Sequence, residues 1–191
     1  AALKAVADGE TPDASDNEPK EVRIDLPVDA NIPAEYVSSE RLRLEAYRKF
    51  AAASALDDID VVLEELVDRY GTPPIEVERL AVISRLRIIC REFGVHEVQA
   101  MGAHIRITPM ELADSKQVRL KRLYPGSSFR AAAKAINVPF PKAGRNVTSP
   151  KLRDEELIQW AADFLSALFD VQPINVSGEE AGAGSVISVG E

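Results

Sequence analysis

Glu65, Asp68 and Arg69 stand at positions i, i+3 and i+4, the spacing that gathers side chains onto one face of a helix. Two carboxylates and a guanidinium placed this way can form charge-assisted hydrogen bonds with a charged partner surface. The same spacing also allows an internal Glu65–Arg69 pair on a solvated face. A second charged set is cationic. Residues 115–153 hold ten basic side chains and no acidic one: Lys116, Arg119, Lys121, Arg122, Arg130, Lys134, Lys142, Arg145, Lys151 and Arg153. Such a one-signed run suits phosphate or an acidic partner, or it is neutralised by the acid-rich remainder on folding. Arg119, Lys121, Arg122 and Arg130 are its candidate basic patch. Few aromatic rings interleave with it (Tyr124, Phe129 and Phe140), fewer than single-strand binders usually carry.

Other chemistries find little support. Nothing matches G-x-x-x-x-G-K-[ST], and the Gly-Ala-Gly-Ser of 182–185 lacks the lysine and the flanking strand and helix of a phosphate-binding loop. Asp57, Asp58, Asp60, Glu64, Glu65 and Asp68 offer paired acids for proton transfer, but on an amphipathic helix they form the solvated side. Cys90, within Ile-Ile-Cys, reads as a buried inert thiol. A two-residue turn at Met101-Gly102 sets His104 opposite Gln99 and His96 opposite Ile107. The two imidazoles then do not converge, and with Cys90 they make no familiar zinc pattern. Trp160 reads as a packing residue. The expectation is a chain with no catalytic residue, no metal and no cofactor of its own.

The chain has 191 residues, 46% of them hydrophobic, with a net charge of −8. That fits one globular domain rather than wholesale disorder. No apolar run approaches the roughly 18 residues of a membrane span, and no signal peptide is visible. A single cysteine allows no internal disulfide and suits the cytoplasm. The opening Ala1 reads as a cut from something longer, with 1–20 a linker rich in proline and acid. Residues 171–191 read as a disordered tail, poorest in apolar content after Ser177.

The remaining 150 or so residues must position the charged sets. The alternation Val22, Arg23, Ile24, Asp25, Leu26 predicts an edge strand, which Pro27 stops. Ser38 or Ser39 caps a helix to about Ser54 whose inner stripe is Leu44, Tyr47 and Ala51. Ile59, Val62, Leu63, Leu66, Val67 and Tyr70 define a second helix, capped by Asp57 or Asp58 and ended by Gly71. A third runs from about Pro74 to Phe93. It is apolar on two sides, with Val77, Leu80 and Ala81 on one and Val82, Leu86, Ile89 and Phe93 on another, so it should be the central helix. A hairpin turning at Gly102 follows. Asp114 and Gln117 suggest a capping box for a short helix to about Tyr124. Leu157, Ala161, Phe164, Leu165 and Leu168 mark a last helix over 154–169. Four alanines leave 128–139 open between helix and hairpin. The fold class is α+β.

Three stretches carry a family resemblance: Asp-Leu-Pro-Val-Asp-Ala-Asn-Ile-Pro at 25–33, Ser-Glu-Arg-Leu-Arg-Leu-Glu-Ala-Tyr-Arg-Lys-Phe at 39–50, and Glu-Leu-Val-Asp-Arg-Tyr-Gly-Thr-Pro-Pro at 65–74. With Arg-Leu-Lys-Arg-Leu-Tyr-Pro at 119–125, they resemble the C-terminal domain of the bacterial transcription-repair coupling factor over about residues 22–168. The residue pattern gives about five helices, an N-terminal edge strand and one short hairpin, and the resemblance implies a second hairpin at 128–139. It implies a regulatory domain of a DNA translocase that removes stalled RNA polymerase. The motor, with its ATP and magnesium, lies upstream, and 1–20 leads from it. It further implies that the domain folds back on a UvrB-like domain of the same protein and hides the surface that recruits UvrA. The family's contact word, Glu-Leu-x-Asp-Arg, falls here on Glu65, Asp68 and Arg69, which then point outward with no packing role. RNA polymerase, UvrA and double-stranded DNA are the implied partners of the parent. A nucleic-acid-binding module acting through 115–153 is the alternative.

Overall fold

The computed structural model describes residues 21–178. In chain order the elements are β1 (Arg23–Asp25), α1 (Glu40–Ala52), α2 (Leu56–Tyr70), α3 (Ile75–Glu92), β2 (Glu97–Met101), β3 (His104–Thr108), α4 (Asp114–Leu123), β4 (Ser128–Arg130), β5 (Ala135–Pro139) and α5 (Asp154–Phe169). The architecture is α+β. The five strands form one sheet in the order β1-β2-β3-β5-β4. β1 is an edge strand and runs parallel to β2, with Ile24 opposite Val98. The remaining pairings are antiparallel. Both hairpins are present, and they fuse because β5 pairs with β3 as well as with β4, setting Ile136 opposite Ile107.

The first hairpin turns at Gly102-Ala103, so Met101 faces His104, Gln99 faces Arg106 and Glu97 faces Thr108. This corrects the turn at Met101-Gly102 by two residues in register. Gly102 has φ +61° and takes the first turn position, where glycine meets no Cβ penalty. A two-residue slip keeps every side chain on its face, so Ile105 and Ile107 are buried as the alternation requires. In the second hairpin the alanines form a single 3-10 turn, Ala131–Ala133, closed by Lys134 at φ 47°.

Two apolar cores share α3. Ile24, Val98, Ile105, Ile107, Ile136 and Val138 of the sheet pack with Leu120 of α4 and with Leu157, Ala161, Phe164, Leu165 and Leu168 of α5. α3 adds Val82, Leu86, Ile89 and Cys90 to that core. Its Val77, Leu80, Ala81 and Ile88 enter the other core, with Ala46 and Phe50 of α1 and Ile59, Val62 and Leu66 of α2. The expectation of a central helix with two apolar sides holds. The segment 26–33 crosses between the cores, with Val28 against the first and Ile32 in the second. The Ile32 amide donates to the Tyr47 hydroxyl at 2.7 Å, and the Asn31 amide to the Glu76 carbonyl at 3.2 Å.

The ends of the helices show what the sequence got right and wrong. Ser39 caps α1 through the Leu42 amide. The buried stripe of α1 is Ala46 and Phe50, while Leu44 is 49% exposed and Ala51 is exposed. At α2 the capping carboxylate is Asp58, which reaches back from inside the first turn to the amides of Ser54 at 2.8 Å and Ala55 at 2.9 Å. α4 has no capping box: it starts after Ala113, and Gln117 instead donates to the Leu112 carbonyl at 3.0 Å. α3 ends at Gly94, φ +70°, where the Val95 amide donates to the Cys90 carbonyl at 2.8 Å and the Gly94 amide to the Arg91 carbonyl at 3.1 Å. That pair of bonds is the Schellman closure.

The folded unit also extends past the residue where a tail was expected to begin. Residues 171–178 lie across α5 and α3, with Ile174 against the sheet core and Val176 inside it. The linker expected at 1–20 and the tail at 179–191 lie outside the described residues. Phe164 sits at the centre of the sheet core with no exposed surface. Phe164→Ala should lower unfolding stability by about 3–5 kcal/mol, read as a lower urea midpoint at unchanged m value.

Candidate functional site

α2 is fixed before it offers anything to a partner. Its inner side, Ile59, Val62 and Leu66, is buried. Asp58 holds its start, and backbone bonds from Ala55 and Ser54 keep that carboxyl below the usual range. Its last turn closes on Gly71, φ +82°, whose amide donates to the Val67 carbonyl at 2.9 Å. The Tyr36 hydroxyl then binds the Gly71 carbonyl at 2.8 Å, and the Tyr36 and Tyr70 rings meet edge-on. Val67, assigned to the inner stripe by spacing, is 46% exposed.

Glu65, Asp68 and Arg69 take three different situations on this helix. The Lys49 ammonium of α1 donates to both Glu65 oxygens, at 2.6 and 2.7 Å. Arg69 lies 3.3 Å from the same carboxylate, and Lys49 lies 3.5 Å from Glu45. Glu65 therefore has a structural role: it ties α1 to α2, which corrects the expectation that it does no packing work. The hydrogen bond from Lys49 lowers the Glu65 pKa, and the same bond raises that of Lys49. A depressed carboxylate contributes above its ordinary pKa and is lost as pH falls through the lowered value. A raised ammonium contributes below its ordinary pKa and is lost only as pH rises through the raised value. The bridge accordingly holds across the neutral range. Asp68 is exposed and has no ionic or hydrogen-bond partner among the described residues. Arg69 is half exposed. The arrangement is one pinned carboxylate, one free carboxylate and one half-engaged guanidinium along little more than one helical turn.

Several cations of the basic segment have partners within the domain. Arg119 is engaged: it donates to the Ala167 carbonyl at 2.6 Å and pairs with Asp170 at 2.9 Å, securing the end of α5. Lys134 pairs with Glu111 at 2.6 Å. Lys151 donates to the Gly102 carbonyl at 2.8 Å and lies over the Phe140 ring. Lys121 and Arg122 are exposed on α4, and Arg130 on β4. None of the three has an acidic partner among the described residues.

His96 precedes β2 and His104 opens β3, so they lie at opposite ends of the hairpin. Among the described residues no cluster of three His, Cys, Asp or Glu is placed to hold a metal ion. Burial pushes the Cys90 thiol up to about 12. Trp160 stacks on Phe164 and meets Tyr124 edge-on. No described helix is long and apolar enough to cross a membrane.

The family model for the TRCF domain matches residues 26–122, just over half of the chain and all of α1, α2 and α3. The chain belongs to the transcription-repair coupling factor family. It is 49% identical over 168 residues to the transcription-repair-coupling factors of Mycobacterium bovis and Mycobacterium tuberculosis. That match covers 87% of the chain and 14% of each of those proteins, so the chain spans about one seventh of their length. The Staphylococcus epidermidis protein is 36% identical over 98 residues, 51% of the chain and 8% of that protein. A crystal structure of the C-terminal domain of transcription-repair coupling factor matches with a TM-score of 0.61 at 19% identity, covering 78% of this chain and 92% of that one. The fold is that of this C-terminal domain.

Two outcomes follow. In the native coupling-factor domain Cys90 should resist a thiol reagent at pH 8 and react at once in denaturant, as a buried high-pKa thiol must. The Glu65 carboxyl, followed by NMR, should titrate below an ordinary glutamate and move back up in Lys49→Met.

Proposed function

We propose that this chain is the non-catalytic regulatory domain of a transcription-repair coupling factor, and that its α2 face binds a UvrB-like domain of the same protein. In this reading the bound state covers the surface that recruits UvrA. The parent is an ATP-dependent DNA translocase acting on stalled RNA polymerase on double-stranded DNA, with ATP and magnesium in its motor. Release of the α2 face would connect that motor to excision repair.

One observation carries the residue assignment: Glu65 is held by Lys49, while Asp68 stands open and Arg69 is half exposed beside it. A pinned carboxylate loses little rotamer freedom on binding, and that saving favours a preformed charged contact. Charged contacts also exchange readily with a competing surface, which suits a clamp that must open.

The test is calorimetric binding of the chain to the UvrB-like domain of the same protein. Asp68→Ala removes a side chain with no internal role and should weaken binding about tenfold or more. Glu65→Ala with Asp68→Ala should weaken it further. Lys49→Met serves as the control: it loosens α1 from α2 but leaves both carboxylates. Unchanged affinity of the Glu65→Ala/Asp68→Ala pair, with the fold intact, overturns the assignment.

A second reading, nucleic-acid binding, is favoured by the unpaired cations Lys121, Arg122 and Arg130, though Arg119 is committed inside the domain. It requires DNA affinity that falls steeply with salt, as counterion release dictates. No retention of duplex or single-stranded DNA at low salt removes it.

A further inference from the structure

After α5 the chain turns at Asp170, φ +59°, and 171–178 run back as a strap across α5 and α3. Gln159 of α5 grips the strap backbone on both sides. Its Nε2 donates to the Ile174 carbonyl at 2.9 Å, and its Oε1 accepts from the Val176 amide at 3.1 Å. The Val176 side chain is 1% exposed. The strap then meets Arg85, an α3 residue that is only 4% exposed. Arg85 Nη1 donates to the Val176 carbonyl at 3.0 Å. Its Nη2 is bonded to Asp60 of α2. One buried guanidinium thus holds the strap with one nitrogen and α2 with the other. Gly178 lies against the same group: a Cβ there would stand 2.6 Å from Nη2, and its φ is +76°.

We propose that Arg85 is the positioning residue of α2, and that the strap 171–178 sets the charged face of α2 through it. The inference rests on the reading of that face as a partner contact. The physical basis is that a buried cation needs its partners together. If the strap lifts, Arg85 loses the Val176 carbonyl and gains water, and its remaining bond to Asp60 is then made in a medium of higher dielectric. Asp60 lies five residues before Glu65 on the same rigid helix, so its hold on α3 fixes where Glu65, Asp68 and Arg69 are presented. Lys49 fixes α2 from the α1 side and Arg85 from the opposite side. Ser177 and Gly178 also line the crevice between α2 and α3 beside Asp60, Leu63 and Val67. A change in the strap therefore reaches α2 directly, by contact and by charge.

Gly178→Ala tests this without deleting any side chain. Arg85 is pinned by two bonds, to the Val176 carbonyl and to Asp60, beside the open crevice between α2 and α3. The added methyl, at a left-handed backbone position, must dislodge either the strap or the guanidinium. Arg85→Lys is the companion variant: it keeps the charge but cannot reach both partners with a planar fork. In hydrogen exchange on the whole chain, each variant should speed the α2 amides about tenfold while the β2–β3 amides stay unchanged. The double variant should exchange no faster than the worse single, because both break one network. Affinity for the UvrB-like domain should fall in the same order. Unchanged α2 exchange in Gly178→Ala, or additive effects in the double variant, overturns the proposal. If Arg85→Lys fails to fold, Gly178→Ala alone decides it. A wild-type chain that does not bind the UvrB-like domain refutes the partner reading, and the exchange arm still decides whether the strap controls α2.

Discussion

α3 must be buried on two sides at once, and the rest of the domain is arranged to allow it. Val82, Leu86 and Ile89 need the sheet and α5, while Val77, Leu80 and Ile88 need α1 and α2. A sheet packed on one side alone would leave the second stripe in water, at a cost of roughly 25 cal/mol for each Å² of apolar surface. The helical pair α1–α2 exists to cover it. Polar groups on so buried a helix then need partners within reach. Ser84 returns its hydroxyl to the Leu80 carbonyl at 2.7 Å, and Arg85 reaches outward to Asp60 and Val176. The one buried arginine of the helix thus sits where α2 and the strap come together.

This arrangement gives α2 its dual character. Its inner side is core and its outer side is charged, and its place is fixed by ionic contacts to both neighbours. Exposed ion pairs contribute little to stability, so the Glu45–Lys49–Glu65–Arg69 chain matters more for where the carboxylates point than for how tightly the domain folds. The basic half follows the opposite logic. Its cations are spread over α4, the hairpins and the segment before α5, and several close carbonyls or ion pairs of their own. Part of a one-signed run in sequence became local fastenings, while Lys121, Arg122 and Arg130 stay exposed.

What was legible in the sequence had a local cause. The two apolar sides of α3, the cap at Ser39, the closures at Gly71 and Gly94 and the inner face of α5 all depend on residues within a few turns of one another. What was not legible depended on residues far apart. In α1, Tyr47 packs inward as its spacing suggests, but Leu44 and Ala51 give way to Ala46 and Phe50, whose spacing is equally good, and only the neighbouring helices choose between them. The register of β2 and β3 hung on which pair of residues turned, and Gly102 fits either position by composition alone. The tie from Lys49 to Glu65 joins two helices, so no spacing rule within one helix could find it. The strap reads as tail because Ile174, Val176 and a few hydrogen bonds from the distant side chains Gln159 and Arg85 hold it, and none of these weighs in a composition count. The second hairpin defeated propensity: four alanines favour helix, but Ile136 and Val138 were needed in the sheet core and drew the segment into β5.

β1 is the strand that takes the chain from the N-terminal side into the sheet. It meets β2 through only three paired positions, with one further bond from the Arg23 amide to the His96 carbonyl at 2.8 Å. Val22, just ahead of it, is a core residue at 2% exposure. Tension on the chain before residue 21 would therefore be carried first by a three-rung ladder and one valine. If they gave way, the sheet core would lose the side chains of Val22 and Ile24, and β2 its outer neighbour. In mechanical terms the domain has a fuse where the chain enters: a short parallel seam that can part under load while the longer ladders of β2, β3 and β5 hold.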